Sequence, residues 1–212
     1  MNQPTAHFLH IGKTGGHAIK NALRPFSKAG FYEIEITVGH RLLKRYPVGE
    51  PFFFVVRDPI TRFTSAFYEC LKNGVSKRHK VEIDVFARFA NPNELAEALY
   101  AQDELAQDAF IEIGHLKPMV HYFEDLETLK KRSEDILLVC HQETLSADFE
   151  VLRKKLGLPK NCQLPLNPKT ANKTPKDKHR NLSSRSIEVL TDQYQLDYEL
   201  VKYCEGFRLS AY

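Results

Sequence analysis

The chain has 212 residues, 42% of them hydrophobic and 27% charged; that composition excludes disorder of the whole chain and suits one domain spanning 1–212. Thirty Lys+Arg against 27 Asp+Glu leave a net charge of +3, too small a surplus to argue for nucleic acid or a membrane surface as partner. The densest apolar run, Phe52 to Val56, is five residues long, whereas a helix needs roughly 20 to cross a bilayer.

In chain order, residues 7–11 read as a buried strand, followed by a glycine-rich turn and a helix to about residue 25. Residues 33–37 alternate Ile34 and Ile36 with polar neighbours, the period of a second strand. Pro51 opens the run Phe52 to Val56, which offers no polar side and so predicts a strand covered on both faces. From 60 to 71 the apolar spacing becomes helical, and 81–110 predict two helices broken near Asn91-Pro92-Asn93. A fourth strand over 136–140 precedes a helix over 146–156, stopped by Gly157 and Pro159. A stretch rich in Pro, Lys and Asn, 159–180, leads to a last helix capped by Ser183, with Ile187, Leu190, Tyr194, Tyr198 and Val201 on one face. This alternation predicts a three-layer α/β/α domain with a mainly parallel central sheet. In such sheets ligands bind where the carboxyl ends of strands feed into helices, and two motifs fall at such points.

The first is Phe8-Leu9-His10-Ile11-Gly12-Lys13-Thr14-Gly15-Gly16-His17. A strand, a tight glycine turn and a helix start bring backbone N–H groups and a positive dipole end to an anion, and Lys13 adds a mobile full charge. Gly12-Lys13-Thr14 copies the end of the nucleotide-binding pattern G-x-x-x-x-G-K-[ST], but the position of its first glycine holds His7. The glycines follow the lysine instead, so the loop is shorter and wraps a smaller anion than a nucleoside triphosphate.

The segment resembles the 5′-phosphosulfate loop of sulfotransferases that use 3′-phosphoadenosine 5′-phosphosulfate (PAPS), above all the carbohydrate (heparan and chondroitin) branch, whose loop reads [H/I]-x-P-K-T-G-G/S. Gly12 stands where that pattern has proline. The resemblance implies a P-loop-NTPase-like sulfotransferase fold, with Gly12, Lys13, Thr14, Gly15, Gly16 and His17 at the donor's 5′ end. In it Lys13 contacts the bridging oxygen and the sulfonate.

The second motif, Val55-Val56-Arg57-Asp58-Pro59-Ile60-Thr61-Arg62-Phe63-Thr64-Ser65, matches the same family's 3′-phosphate signature R-D-P-x-x-R-x-x-S. Arg57 leaves a strand end as a fork-shaped cation able to bind phosphate bidentately, and Pro59 suits the first turn of a helix. By the resemblance, Arg57 and Ser65 hold the 3′-phosphate. An exposed Arg57–Asp58 ion pair is the bland alternative, and Arg62 is equally compatible with an ion pair to Asp58 or a neighbouring acid.

Sulfuryl transfer to a hydroxyl needs a base, and a histidine poised near neutrality suits the task. His40, in Val38-Gly39-His40-Arg41, coincides with a Gly-His that members of the carbohydrate branch carry between the two motifs. His115, in Gly114-His115-Leu116-Lys117-Pro118, resembles a second family segment that faces the acceptor and ranks behind His40; Glu33 and Glu35 are weaker candidates. Residues 169–180 carry four lysines and one arginine against one acid. Such a run is often a solvated face, but in related enzymes a Lys/Thr/Asn-rich loop folds over the nucleotide, which singles out Thr170, Asn172, Lys173 and Thr174.

Cys70, Cys140, Cys162 and Cys204 contain no C-x-x-C pair and are expected as free thiols, and the nine histidines show no ligand spacing, so no metal is expected. Met1 to Ala6 have neither the basic nor the apolar region of a signal peptide, so a cytoplasmic location is expected. The sequence thus predicts a PAPS-dependent sulfotransferase releasing 3′-phosphoadenosine 5′-phosphate (PAP), with a small-molecule or glycan acceptor. A nucleotide or small-molecule kinase and a non-catalytic PAP-binding module are the alternatives. Oligomeric state is left open.

Overall fold

The computed structural model describes residues 3–37, 39–73, 80–165 and 181–209. The described residues form two compact units, one drawn from 1–57, 119–173 and 199–212, the other from 58–118 and 174–198.

The first unit holds a four-stranded sheet of β1 (Thr5–Leu9), β2 (Glu33–Glu35), β3 (Phe52–Val56) and β4 (Ile136–His141) in the order β2-β1-β3-β4. Every pairing is parallel, with His7 opposite Phe52, Leu9 opposite Phe54 and Val56 opposite His141. Side chains alternate across strands, so each strand feeds two cores. Phe8, Phe53, Val55, Leu138 and Cys140 pack with Ile19 and Leu23 of α1 (Gly16–Leu23) and with Phe149 and Leu152 of the helix Leu145–Lys155. Leu9, Phe52, Phe54, Val56 and Val139 pack on the other face with the 3-10 turn Met119–Phe123, with Leu129 of the helix Leu126–Lys131, and with Leu200 and Cys204. The sheet is therefore flanked by helical layers on both sides, as the alternation predicts. All five side chains of β3 are fully buried, because a parallel strand covered twice has no wet face.

The second unit is helical: α2 (Pro59–Asn73), α3 (Lys80–Arg88), α4 (Pro92–Tyr100), α5 (Glu104–Glu112) and, after α6 (Leu126–Lys131) and α7 (Leu145–Lys155) of the first unit, α8 (Ser184–Gln193). Its core gathers Phe63, Phe67, Val85, Leu95, Phe110, Leu190 and Tyr194. Where two helices are expected over 81–110 there are three, because both breaks are capped. The side chain of Asn91 accepts the amide of Glu94 with Pro92 opening α4, and Gln102 turns left-handed (φ 59°) before Asp103 accepts the amide of Ala106.

The single last helix is also two, α8 and α9 (Gln195–Leu209), interrupted at Tyr194 (φ −107°, ψ 22°). Tyr194 is fully buried and its hydroxyl donates to the Leu116 carbonyl at 2.7 Å, which ties the chain down at the break. Ile187, expected on the buried face, is 45% exposed. No helix among the described residues is long and apolar enough to cross a membrane.

Candidate active site

β1 delivers the chain at Leu9 into the loop 10–15, and α1 starts at Gly16. Two residues turn the loop by adopting left-handed backbone, Lys13 (φ 68°) and Gly15 (φ 95°), the latter as N-cap of α1. For glycine that conformation is free; for Lys13 it is a strained conformation held by its surroundings. The first turn of α1 contains no acid and its N-cap makes no side-chain hydrogen bond, so the helix itself places nothing negative at its positive end.

Arg57, just past the end of β3, braces the strained lysine: its Nη1 donates to the Lys13 carbonyl at 3.0 Å. Because β1 and β3 are hydrogen-bonded neighbours, the two motifs that the sequence separates by 44 positions meet at one sheet edge. A lysine, a guanidinium and an uncapped helix start make this edge strongly cationic, which suits binding and stabilising an anion.

The rest of the loop is fixed from within. The hydroxyl of Thr14 is buried and donates to the Ile11 carbonyl at 3.0 Å. The amide of Gly12 donates to the Tyr122 hydroxyl at 3.3 Å. Gly16 also answers a packing need: a Cβ there would lie 2.1 Å from Cδ2 of His10, so the missing side chain makes room for the buried His10 ring. That ring stacks on Phe8 at 5.6 Å and meets His17 edge-on at 5.4 Å.

His40 joins this group. Its Nδ1 lies 2.8 Å from the His10 carbonyl, and its ring is 4.7 Å from the His10 ring and 5.8 Å from that of Tyr122. A carbonyl only accepts, so Nδ1 carries the hydrogen and the lone pair of neutral His40 falls on Nε2. His40 is also exposed, as a proton acceptor for an incoming hydroxyl should be.

The carboxylates among the weaker base candidates are engaged in ion pairs. Glu33 pairs with Lys28 at 3.1 Å; Glu35 pairs with Arg41 at 3.2 Å, and its other oxygen lies 2.7 Å from Nδ1 of buried His7. Nε2 of the same imidazole contacts Glu50, at the amino end of the sheet. At the carboxyl end, the backbone amide of His141 and the hydroxyl of Thr144 both donate to Asp148, which locks the exit of β4. Burial, then the nearby Asp148 carboxylate, pushes the Cys140 thiol far above the usual range.

The remaining predicted residues belong to the helical unit or lie outside the described residues. In the second motif, Asp58 accepts the amide of Thr61 at 2.8 Å and so caps α2, which accounts for the Asp-Pro pair. Arg62 is fully buried and donates to the Lys117 carbonyl at 2.9 Å, a structural brace of its own unit. Ser65 sits in α2, buried. His115 is half-buried, its Nδ1 3.6 Å from the thiol of Cys70. Thr170, Asn172, Lys173 and Thr174 lie outside the described residues.

Sequence reasoning missed His10 and Tyr122. The ring of His10 is signalled only by the glycine six residues on, and Tyr122 reaches Gly12 across 110 positions with no motif around it. No curated protein matches the chain. The model of the sulfotransferase family matches it over residues 4–204, through both motifs and all four strands. The chain belongs to the sulfotransferase family.

Proposed function

We propose that this transferase moves a sulfuryl group from PAPS to an acceptor hydroxyl, with a carbohydrate as the acceptor class and His40 as base. The observation that carries the reading is the bond from Arg57 to the Lys13 carbonyl, which unites the two motifs in one cationic edge. The residues there fit an anionic donor: a helix start with no acid in its first turn, a glycine-flanked lysine and a guanidinium. When bound, PAPS supplies the sulfuryl group and leaves as PAP.

The chain's own contribution is positioning and electrostatics, as in phosphoryl transfer. Lys13 and the amides of 14–17 stabilise negative charge at the donor's 5′ end. Arg57 holds the 3′-phosphate, with Ser65 assigned to the same group by its place in the signature. His40 takes the acceptor's proton on Nε2, since its Nδ1 is already a donor to the His10 carbonyl. His115, whose Nδ1 lies 3.6 Å from the Cys70 thiol, is assigned to the acceptor side and ranks behind His40 as base.

Thermal shift with PAP, ADP and ATP–Mg²⁺ tests the donor. A ligand at 100 times its Kd stabilises by about 2.7 kcal/mol, roughly 5–10 °C in Tm for a chain of this size. PAP is expected to give that shift and ADP a much smaller one. A shift with ATP–Mg²⁺ and none with PAP would establish the kinase reading instead. PAP binding without sulfuryl transfer to any glycan or small hydroxyl acceptor would leave a non-catalytic module.

A further inference from the structure

We propose that Tyr122 is a positioning residue for sulfuryl transfer, holding the Gly12 amide of the loop with its hydroxyl and the plane of the His40 imidazole with its ring. The proposal rests on the reading of His40 as base. Tyr122 is 4% exposed, in the 3-10 turn Met119–Phe123 that packs against the sheet. Its neighbour Phe123 meets Phe54 of β3 edge-on at 4.9 Å, so the turn is mounted on the strand that delivers Arg57.

From that mount the side chain touches both halves of the site. Its Oη accepts the Gly12 amide at 3.3 Å, with both groups buried. A buried amide without a partner would cost free energy, so this bond fixes where the loop begins its turn. The ring meets His40 at 5.8 Å and an interplanar angle of 74°, edge-to-face geometry within the range of favourable aromatic pairs. The bond from His40 Nδ1 to the His10 carbonyl sets the tautomer but permits rotation about its own axis. The Tyr122 edge on one side and the His10 ring, 4.7 Å away, on another restrict that rotation, which keeps Nε2 on its line to the acceptor. Misplacement of a reacting group by about 1 Å costs on the order of 10²-fold in rate, so this restriction matters for turnover.

The two contacts separate by substitution. Tyr122→Phe keeps the ring and removes the hydroxyl. It is expected to raise the KM for PAPS about 3- to 10-fold with kcat and its pH profile unchanged, on the scale of one neutral hydrogen bond. Tyr122→Leu removes the ring as well and is expected to lower kcat about 10- to 100-fold, on top of the same KM change. NMR relaxation of the His40 ring gives a readout free of activity: the ring should be rigid in the parent and in Tyr122→Phe and gain motion in Tyr122→Leu, while the Nδ1–H tautomer set by the His10 carbonyl dominates in all three.

His40→Ala, expected to lose a factor of about 10² to 10⁴ in kcat, separates the two claims. If it keeps full kcat, the base reading falls, while the NMR signature still judges Tyr122. If it collapses and Tyr122→Leu keeps the parent kcat and a rigid His40 ring, the Tyr122 proposal is overturned. Should Tyr122→Leu fail to fold, Tyr122→Phe decides alone: an unchanged KM for PAPS, or a fall in kcat, overturns it.

Discussion

Gly16→Ala is the substitution whose effect is most directly set by geometry. A methyl group on Gly16 would stand 2.1 Å from Cδ2 and 2.4 Å from Nε2 of His10, and the three nearest atoms it would meet all belong to that ring. The ring is 3% exposed and stacked on Phe8, so it has no open side into which to retreat. Overpacking of this kind costs about 1–3 kcal/mol, while alanine in place of glycine in a helix returns about 0.5–1 kcal/mol. With a contact this short and no room for the ring to retreat, the upper part of that difference applies, a net loss of about 1–2.5 kcal/mol, or roughly 2–10 °C in Tm for a chain of this length. Calorimetry or thermal-shift measurement suffices. In a His10→Ala background the clash disappears and Gly16→Ala should become neutral or stabilising, so a double-mutant cycle should return a coupling of about 1–3 kcal/mol. Gly114→Ala, where a Cβ meets nothing within 4 Å, serves as the control. A Gly16→Ala protein melting at or above the parent temperature would refute the packing of His10 against the loop.

Two further outcomes follow from the same edge and from the core. Lys13→Ala should lower kcat by about 10²- to 10³-fold, the usual loss for a charge-stabilising donor, whereas Arg57→Ala should raise the Kd for PAP most, measured by calorimetric titration. Burial holds the thiols of Cys140 and Cys204 well above the ordinary range in the folded chain. The folded state therefore keeps protons that the unfolded chain releases, so this stabilisation is complete below about pH 8.5 and is lost as pH rises beyond it, at about 1.4 kcal/mol per thiol per pH unit. Tm recorded from pH 7 to 10 should be level at first and then fall, and replacing Cys204 with alanine should make the fall shallower; an unchanged Tm up to pH 10 would contradict it.

The elements legible in the sequence are those whose side chains have one job. Phe52 to Val56 reads as a twice-covered strand because burial on both faces leaves no polar position to mislead. The Lys-Thr-Gly-Gly turn is legible for the same reason, since only a few residue types permit its backbone. What escaped were decisions made across the fold. Asp58 reads as a partner for an arginine, and its role in accepting the Thr61 amide at the start of α2 shows only in the fold. The last helix is continuous by periodicity and broken at Tyr194, whose hydroxyl is drawn to Leu116 from 78 positions away. Gly16 reads as room for an anion, and its need to leave room for a ring of the same chain is not legible from its neighbours in sequence. His10 and Tyr122 act through packing, which leaves no spacing rule in the sequence.

The parallel ladder between β1 and β3 has one more implication. Its register, Phe8 against Phe53 and Leu9 against Phe54, sets how far apart the loop and the guanidinium emerge. Neither can slide without shearing a pair of buried strands, so the span between them behaves as a ruler machined into the scaffold. Surface insertions elsewhere in the chain could therefore vary what receives the sulfuryl group while the measure applied to its giver stays constant.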